Sequence, residues 1–245
     1  MYRFLARPRW ILAALAVTVI SVTFVNLGLW QLDRHRQVVA DNQIRAQRLA
    51  SEVGDITVFL EAAGRDVDSL EFRRTVATGV FDASAEVLLR GQARAGSPGF
   101  DVLTPLLLED GTTILVDRGW VPLAFDTPPV AAAPPPEGTV EVMGVIRSSQ
   151  RPAVVGPTEP DGPLTQIARV DLERLSEQFP RLAPVWVEVT SDDPPMGSPR
   201  TGPLPDLTDD GPHLEYAVQW FAFALVGIVG FGFVIRRAGH RASER

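Results

Sequence analysis

The chain has two textures: an unbroken apolar stretch near each end, and short alternating runs between them. No charged residue occurs from Ile11 to Trp30 or from Tyr216 to Ile235, 20 positions in each case. A helix of that length rises about 30 Å, enough to cross the hydrocarbon core of a bilayer. The pattern predicts transmembrane helices over residues 11–32 and 213–235, with short flanks at 1–10 and 236–245. The first stretch exceeds a signal-peptide core and ends in Leu29-Trp30 rather than in small residues, so it reads as a retained anchor. Beyond it, residues 33–50 place Val38, Val39, Ile44 and Leu49 in a polar segment without Gly or Pro, which predicts a helical extension.

Between the two spans the period shortens. Runs rich in β-branched residues cover Thr75–Phe81, Glu86–Leu89, Phe100–Leu108, Thr113–Val121, Thr139–Ile146 and Pro184–Val189. Gly91, Gly96 to Gly99, Asp110-Gly111 and the proline-rich 127–138 punctuate them, a spacing that fits a sandwich or a partly open barrel over residues 51–190. Glu109-Asp110-Gly111 predicts a hairpin joining Phe100–Leu108 to Thr113–Val121. One short helix interrupts the strands, with Asp171 as its cap, Leu172 and Leu175 on one side, and Phe179-Pro180 at its close. Six prolines in residues 191–212 mark a linker back to the membrane. The predicted fold class is an α+β membrane protein, with two transmembrane helices flanking one extracytoplasmic, mostly antiparallel β domain.

Charge sets the expected orientation. Residues 1–10 and 236–245 hold seven arginines and one acid, leaving 16 arginines against 29 acids in between, a net −13. Arg236, Arg237, Arg241 and Arg245 follow the second span while Asp206, Asp209, Asp210 and Glu215 precede it, which puts the C-terminus in the cytoplasm. Two spans then place both termini there and the middle segment outside, in the plasma membrane of a bacterium. An acidic middle repels phosphate backbones, which argues against a nucleic-acid partner.

The chain has no cysteine, which removes disulfides, thiolate metal sites, cysteine nucleophiles and covalent haem attachment through Cys-x-x-Cys-His. Phosphate loops, Gly-x-Ser-x-Gly and His-Glu-x-x-His are missing too, and residues 50–190 contain no histidine. No active site is expected. Alternation along a strand sends Asp117 and Arg118 to opposite faces, so they should not pair directly. The acid pairs Asp192-Asp193 and Asp209-Asp210 read as solvated linker charge, and Arg73, Arg118 and Arg147 as forks that fix loops, the other reading being contact with a partner. His240 falls in the arginine-rich tail. His35 and His213 flank the outer ends of the two spans, so an antiparallel helix pair brings both to one interface with Trp30, Gln31 and Arg34. On the second helix, positions 213, 216, 217, 220, 224, 227 and 231 share a face that includes His213, Tyr216 and Trp220. That face reads either as an interfacial aromatic belt with a capping histidine or as a ligand platform, because neutral imidazole is the commonest haem-iron ligand.

The ordered blocks Gly28-x-Trp30-Gln31-x-x-Arg34, Glu71-Phe72-Arg73, Gly79-x-Phe81-Asp82, Val102-Leu103-Thr104-Pro105, Ile114 to Pro122, Gly144-x-x-Arg147 and His213-Leu214-x-Tyr216-x-x-Gln219-Trp220 closely resemble the Surfeit locus protein one family, called Shy in fungi. The resemblance implies a cytochrome c oxidase assembly factor that binds haem a and helps insert it into the catalytic subunit of a haem-copper oxidase, with no reaction of its own. It makes His213 the iron ligand, and haem a synthesis enzymes are further implied partners. Tyr216, Trp220, Trp30, Gln31 and Arg34 are the remaining expected cofactor-binding residues, with Arg34 or Arg36 facing the propionates. Pro212, Asp117 and the stretch Leu164 to Arg169 depart from the family pattern. The competing expectation is a protein-only membrane scaffold that steadies oxidase subunits without haem.

Overall fold

The structure, a computed structural model, describes residues 7–150, 159–190, 199, 207 and 209–243. The linker expected over 191–212 falls largely outside them, as does Asp192-Asp193. The chain divides into two compact units, one formed by residues 1–44 and 206–245, the other by 45–205.

The first unit is a helix pair. Helix α1 (Pro8–Leu49) runs 42 residues without a break, and helix α4 (His213–Ser243) runs 31. Each contains a stretch long and apolar enough to cross a membrane. On α1 the residues shielded from solvent recur at Ala14, Val17, Ser21, Phe24, Gly28, Gln31, His35, Val38 and Asn42, steps of three and four. On α4 they fall at His213, Ala217, Trp220, Ala224, Phe231 and Ile235. These are the steps of two helices packed along a seam. Small residues let the backbones approach: a Cβ on Gly28 would lie 2.6 Å from the Phe221 ring, and one on Gly227 3.8 Å from Ser21 Oγ. Phe24 fills the adjoining space, 5.4 Å from the Trp220 ring and 5.8 Å from Phe223.

The second unit is built on eight strands: β1 (Gly54–Asp55), β2 (Arg74–Phe81), β3 (Val87–Arg94), β4 (Ser97–Leu108), β5 (Thr113–Pro122), β6 (Thr139–Ser148), β7 (Gln166–Ile167) and β8 (Leu182–Val189). Their order is β1-β2-β6-β8-β5-β4-β3-β7, and an extra β2–β4 pairing closes β2, β6, β8, β5 and β4 into a five-stranded barrel. All ring pairings are antiparallel except β5 with β8. The expected hairpin is β4–β5, with Leu106 opposite Ile114.

Alternation builds the interior. Ile114 and Val116, Val185 and Val187, and Leu106 and Leu108 point inward with Ala77, Val142 and Ile146, each branched side chain contributing roughly 1.5–3 kcal/mol on full burial. Helix α2 (Ile56–Ala63), which the sequence reading did not anticipate, packs Ile56, Phe59, Leu60 and Ala63 against this core. The opposite face of β3, β4, β5 and β8 presents Leu89, Leu103, Leu115 and Trp186 to the segment 164–179, which contributes Leu172 and Leu175 from helix α3 (Leu172–Leu175). Asp171 caps α3 by accepting from Arg174 N.

Candidate functional site

All six expected cofactor-binding residues lie on the helix pair, but only His213 and Gln31 are in direct hydrogen-bond contact among them. These two meet across the seam: His213 Nδ1 lies 2.9 Å from Gln31 Oε1. An amide oxygen only accepts, so Nδ1 carries the hydrogen and Nε2 keeps its lone pair. Nε2 has no hydrogen-bond partner among the described residues, and the ring is half-buried. A fixed tautomer with a free Nε2 is the state in which imidazole binds a metal. Trp30 and Tyr216 instead face outward, 58% and 47% exposed. Tyr216 shares a helix face with His213 by phase, and the buried positions on that face are Ala217 and Ala224. Trp220 is half-buried, edge-on to Phe223 at 5.9 Å.

Arg34, the sixth, is exposed and donates to Gln37 Oε1 at 3.3 Å, and Arg36 pairs with Asp33 at 3.0 Å on the same surface. Neither guanidinium touches His213. His35, one turn beyond Gln31 on the seam face, keeps Nδ1 buried without a hydrogen-bond partner. The acid pair Asp209-Asp210 is not simply solvated linker charge. Asp209 accepts from Gly211 N at 2.8 Å in a turn that Gly211 completes at φ +70°, and Asn42 Nδ2 donates to Asp209 O at 3.3 Å. The approach to α4 is thereby tied to α1. An Asx turn before a glycine is a local signal that the proline-rich context masked.

Of the three arginines expected to hold loops, Arg118 does so, whereas Arg73 and Arg147 lie over aromatic rings. Arg118, buried, forms an ion pair with Glu86 and donates Nε to Thr104 Oγ1 at 2.7 Å and Nη2 to Ala133 O at 2.9 Å. Glu86 Oε2 accepts from Val130 N at 2.8 Å, and the Thr104 hydroxyl closes the ring by donating to Glu86 Oε1 at 3.0 Å. This network pins the proline-rich loop 123–138 onto β4 and β5. Burial lowers the Arg118 pKa against the opposing pull of Glu86. Asp117 lies on the other face of β5, accepting from Gly119 N at 2.8 Å. The family-like Glu71-Phe72-Arg73 block has a physical reading: the Phe72 ring sits under the guanidinium of Arg147 at 4.5 Å and of Arg45 at 5.1 Å, while Arg73 covers Phe59 at 4.7 Å.

Asp101 on β4, Asp117 on β5 and Glu188 on β8 bring three carboxylates together. Burial, and secondarily the negative charge of Asp101, pushes Asp117 well above the usual carboxylate range. Asp101 is raised to about 6 by burial, with Arg94 pulling it back from 3.8 Å. Among the described residues no group of three or more potential ligands could hold a metal ion.

Similarity to known proteins points the same way as the residue blocks. The sequence profile of the SURF1 family matches residues 18–225. An uncharacterised SURF1-like protein of Mycobacterium bovis is 30% identical over 238 residues, spanning 94% of this chain and 84% of its own length. A SURF1-like protein of Monosiga brevicollis is 28% identical over 241 residues, spanning 94% and 90%. Surfeit locus protein 1 of Homo sapiens is 27% identical over 226 residues, spanning 84% and 72%. With its paired apolar helices, its five-stranded barrel and a profile match over most of its length, the chain belongs to the SURF1 family.

Proposed function

We propose that this protein is a membrane-bound assembly factor for a haem-copper cytochrome c oxidase, carrying haem a and delivering it to the catalytic subunit. Haem a is cargo in this reading, so no chemical step is required of the protein. The observation that carries it is the His213–Gln31 contact, which spends Nδ1 and leaves Nε2 free for iron at the end of an apolar helix pair. Trp30 and Tyr216 offer aromatic surface on the outward faces, and Arg34 offers charge for the propionates one turn past Trp30. The arginines after the second span support cytoplasmic termini, with the barrel outside a bacterial plasma membrane. The enzymes that make haem a would then be the upstream partners.

The full-length protein purified from cells making haem a should show haem absorbance that His213→Ala abolishes. Spectra of unchanged intensity in that variant would refute the ligand assignment. One observation favours a protein-only scaffold: the Trp220 ring is engaged by Phe24 and Phe223 rather than left open. A colourless parent protein whose gene deletion still removes the oxidase would select that reading.

A further inference from the structure

Helix α1 has a second face besides its seam. Thr18, Val22 and Asn26, spaced i, i+4 and i+8, lie together on it, and with Ala14, Val25 and the α4 residues Ile228 and Phe231 they line a groove of about 400 Å³. Asn26 is one turn short of Trp30 inside the charge-free run, so its amide lies in hydrocarbon, about 6 Å along the axis from that interfacial ring. One Nδ2 hydrogen goes to Val22 O at 2.8 Å. The other hydrogen and Oδ1 have no partner among the described residues. Nor does the Thr18 hydroxyl, in contrast to Thr23, which donates to Val19 O at 2.9 Å. An amide with open valences in lipid is a costly feature that a neighbouring helix relieves.

We propose that this groove is the contact between two copies of the protein, α1 against α1, with the Asn26 carboxamides exchanging hydrogen bonds. Two features select a second copy over another helix. A carboxamide is donor and acceptor at once, so a two-fold pair satisfies both ends of each. Every copy also inserts in the same orientation, so the Asn26 of a second copy lies at the same depth without further design. A lipid chain fills the volume but can neither donate nor accept.

The chain has no cysteine, so an introduced thiol is unique. Val22→Cys in the full chain, oxidised mildly in native membranes, should give a disulfide-linked species of twice 26.7 kDa. Ile20→Cys, exposed on the opposite side of α1, should not. Adding Asn26→Leu to Val22→Cys should cut the linked fraction about three- to fifteenfold, and Asn26→Gln should largely preserve it. Equal linking from Val22→Cys and Ile20→Cys, a linked product of any other mass, or linking indifferent to Asn26→Leu would each overturn the dimer.

Discussion

Replacing Glu86 by alanine tests whether the barrel unit depends on its one fully enclosed ion pair among the described residues. The substitution leaves the Arg118 guanidinium buried without a counter-charge, which costs about 3–5 kcal/mol. It also strips the acceptor from Val130 N and from the Thr104 hydroxyl, each worth about 1–3 kcal/mol if left unpaired, though relaxation of the loop lets water reach some of them. A net loss of about 4–6 kcal/mol approaches the whole stability of many domains. Urea unfolding in detergent micelles reads it: Trp120 and Trp186 report the barrel, while Trp10, Trp30 and Trp220 sit on helices that micelles protect. Loop 123–138, released at Val130, should become the first site of proteolytic cleavage. The double variant Glu86→Leu with Arg118→Met removes both charges and should recover at least about 3 kcal/mol of the loss. A single variant within about 1 kcal/mol of the parent, or a double variant no better than the single, would show that the pair does not hold the fold.

Stability should also follow pH through the carboxylate cluster. Asp101 has its folded pKa raised from 3.8 to about 6, so the folded state holds a proton that the unfolded chain has released, and stability is lost as pH rises through about 6. The urea midpoint should fall between about pH 4 and 6 and level off above, and Asp101→Asn should flatten that slope and add about 1–2 kcal/mol at the upper end, solvent screening included; a slope unchanged in the variant would discard the assignment. Gly144→Ala should cost about 2–3 kcal/mol, because its Cβ would lie 2.4 Å from Glu188 O and force β6 from β8, read as a lowered Tm of the full-length protein. A Tm within a degree or so of the parent would mean that the strands part freely there.

The long-period features were legible because each residue's environment repeats. Twenty charge-free positions announce a span, and the continuous apolar runs at 114–116 and 185–187 announce strands buried on both faces. Helix α2 escaped because Ile56-Thr57-Val58-Phe59 opens with β-branched residues, although Asp55 before it, Gly64 after it, and Ile56, Phe59, Leu60 and Ala63 at helical spacing gave the signal. Strands β1 and β7, two residues each, hold their place by pairing in parallel with β2 and β3. The Glu86–Arg118 pair joins positions 32 apart in sequence and has no local signature. At the helix pair, residue type and position brought His213 to one interface with Trp30, Gln31 and Arg34, and within that set the contact is with Gln31. Helical phase put Tyr216 on the His213 face of α4, but it did not reveal that Ala217 and Ala224 take the buried positions while Tyr216 stays exposed.

Strand β8 comes last in sequence yet lies between β5 and β6, and its pairing with β5 is the ring's one parallel pairing. Until residues 182–189 have emerged, β5 and β6 each present an open row of amides and carbonyls, edges that recruit other chains. Closure of the ring is therefore postponed to the end of the domain's synthesis, and a chain terminated before Leu182 should aggregate rather than persist as a smaller barrel.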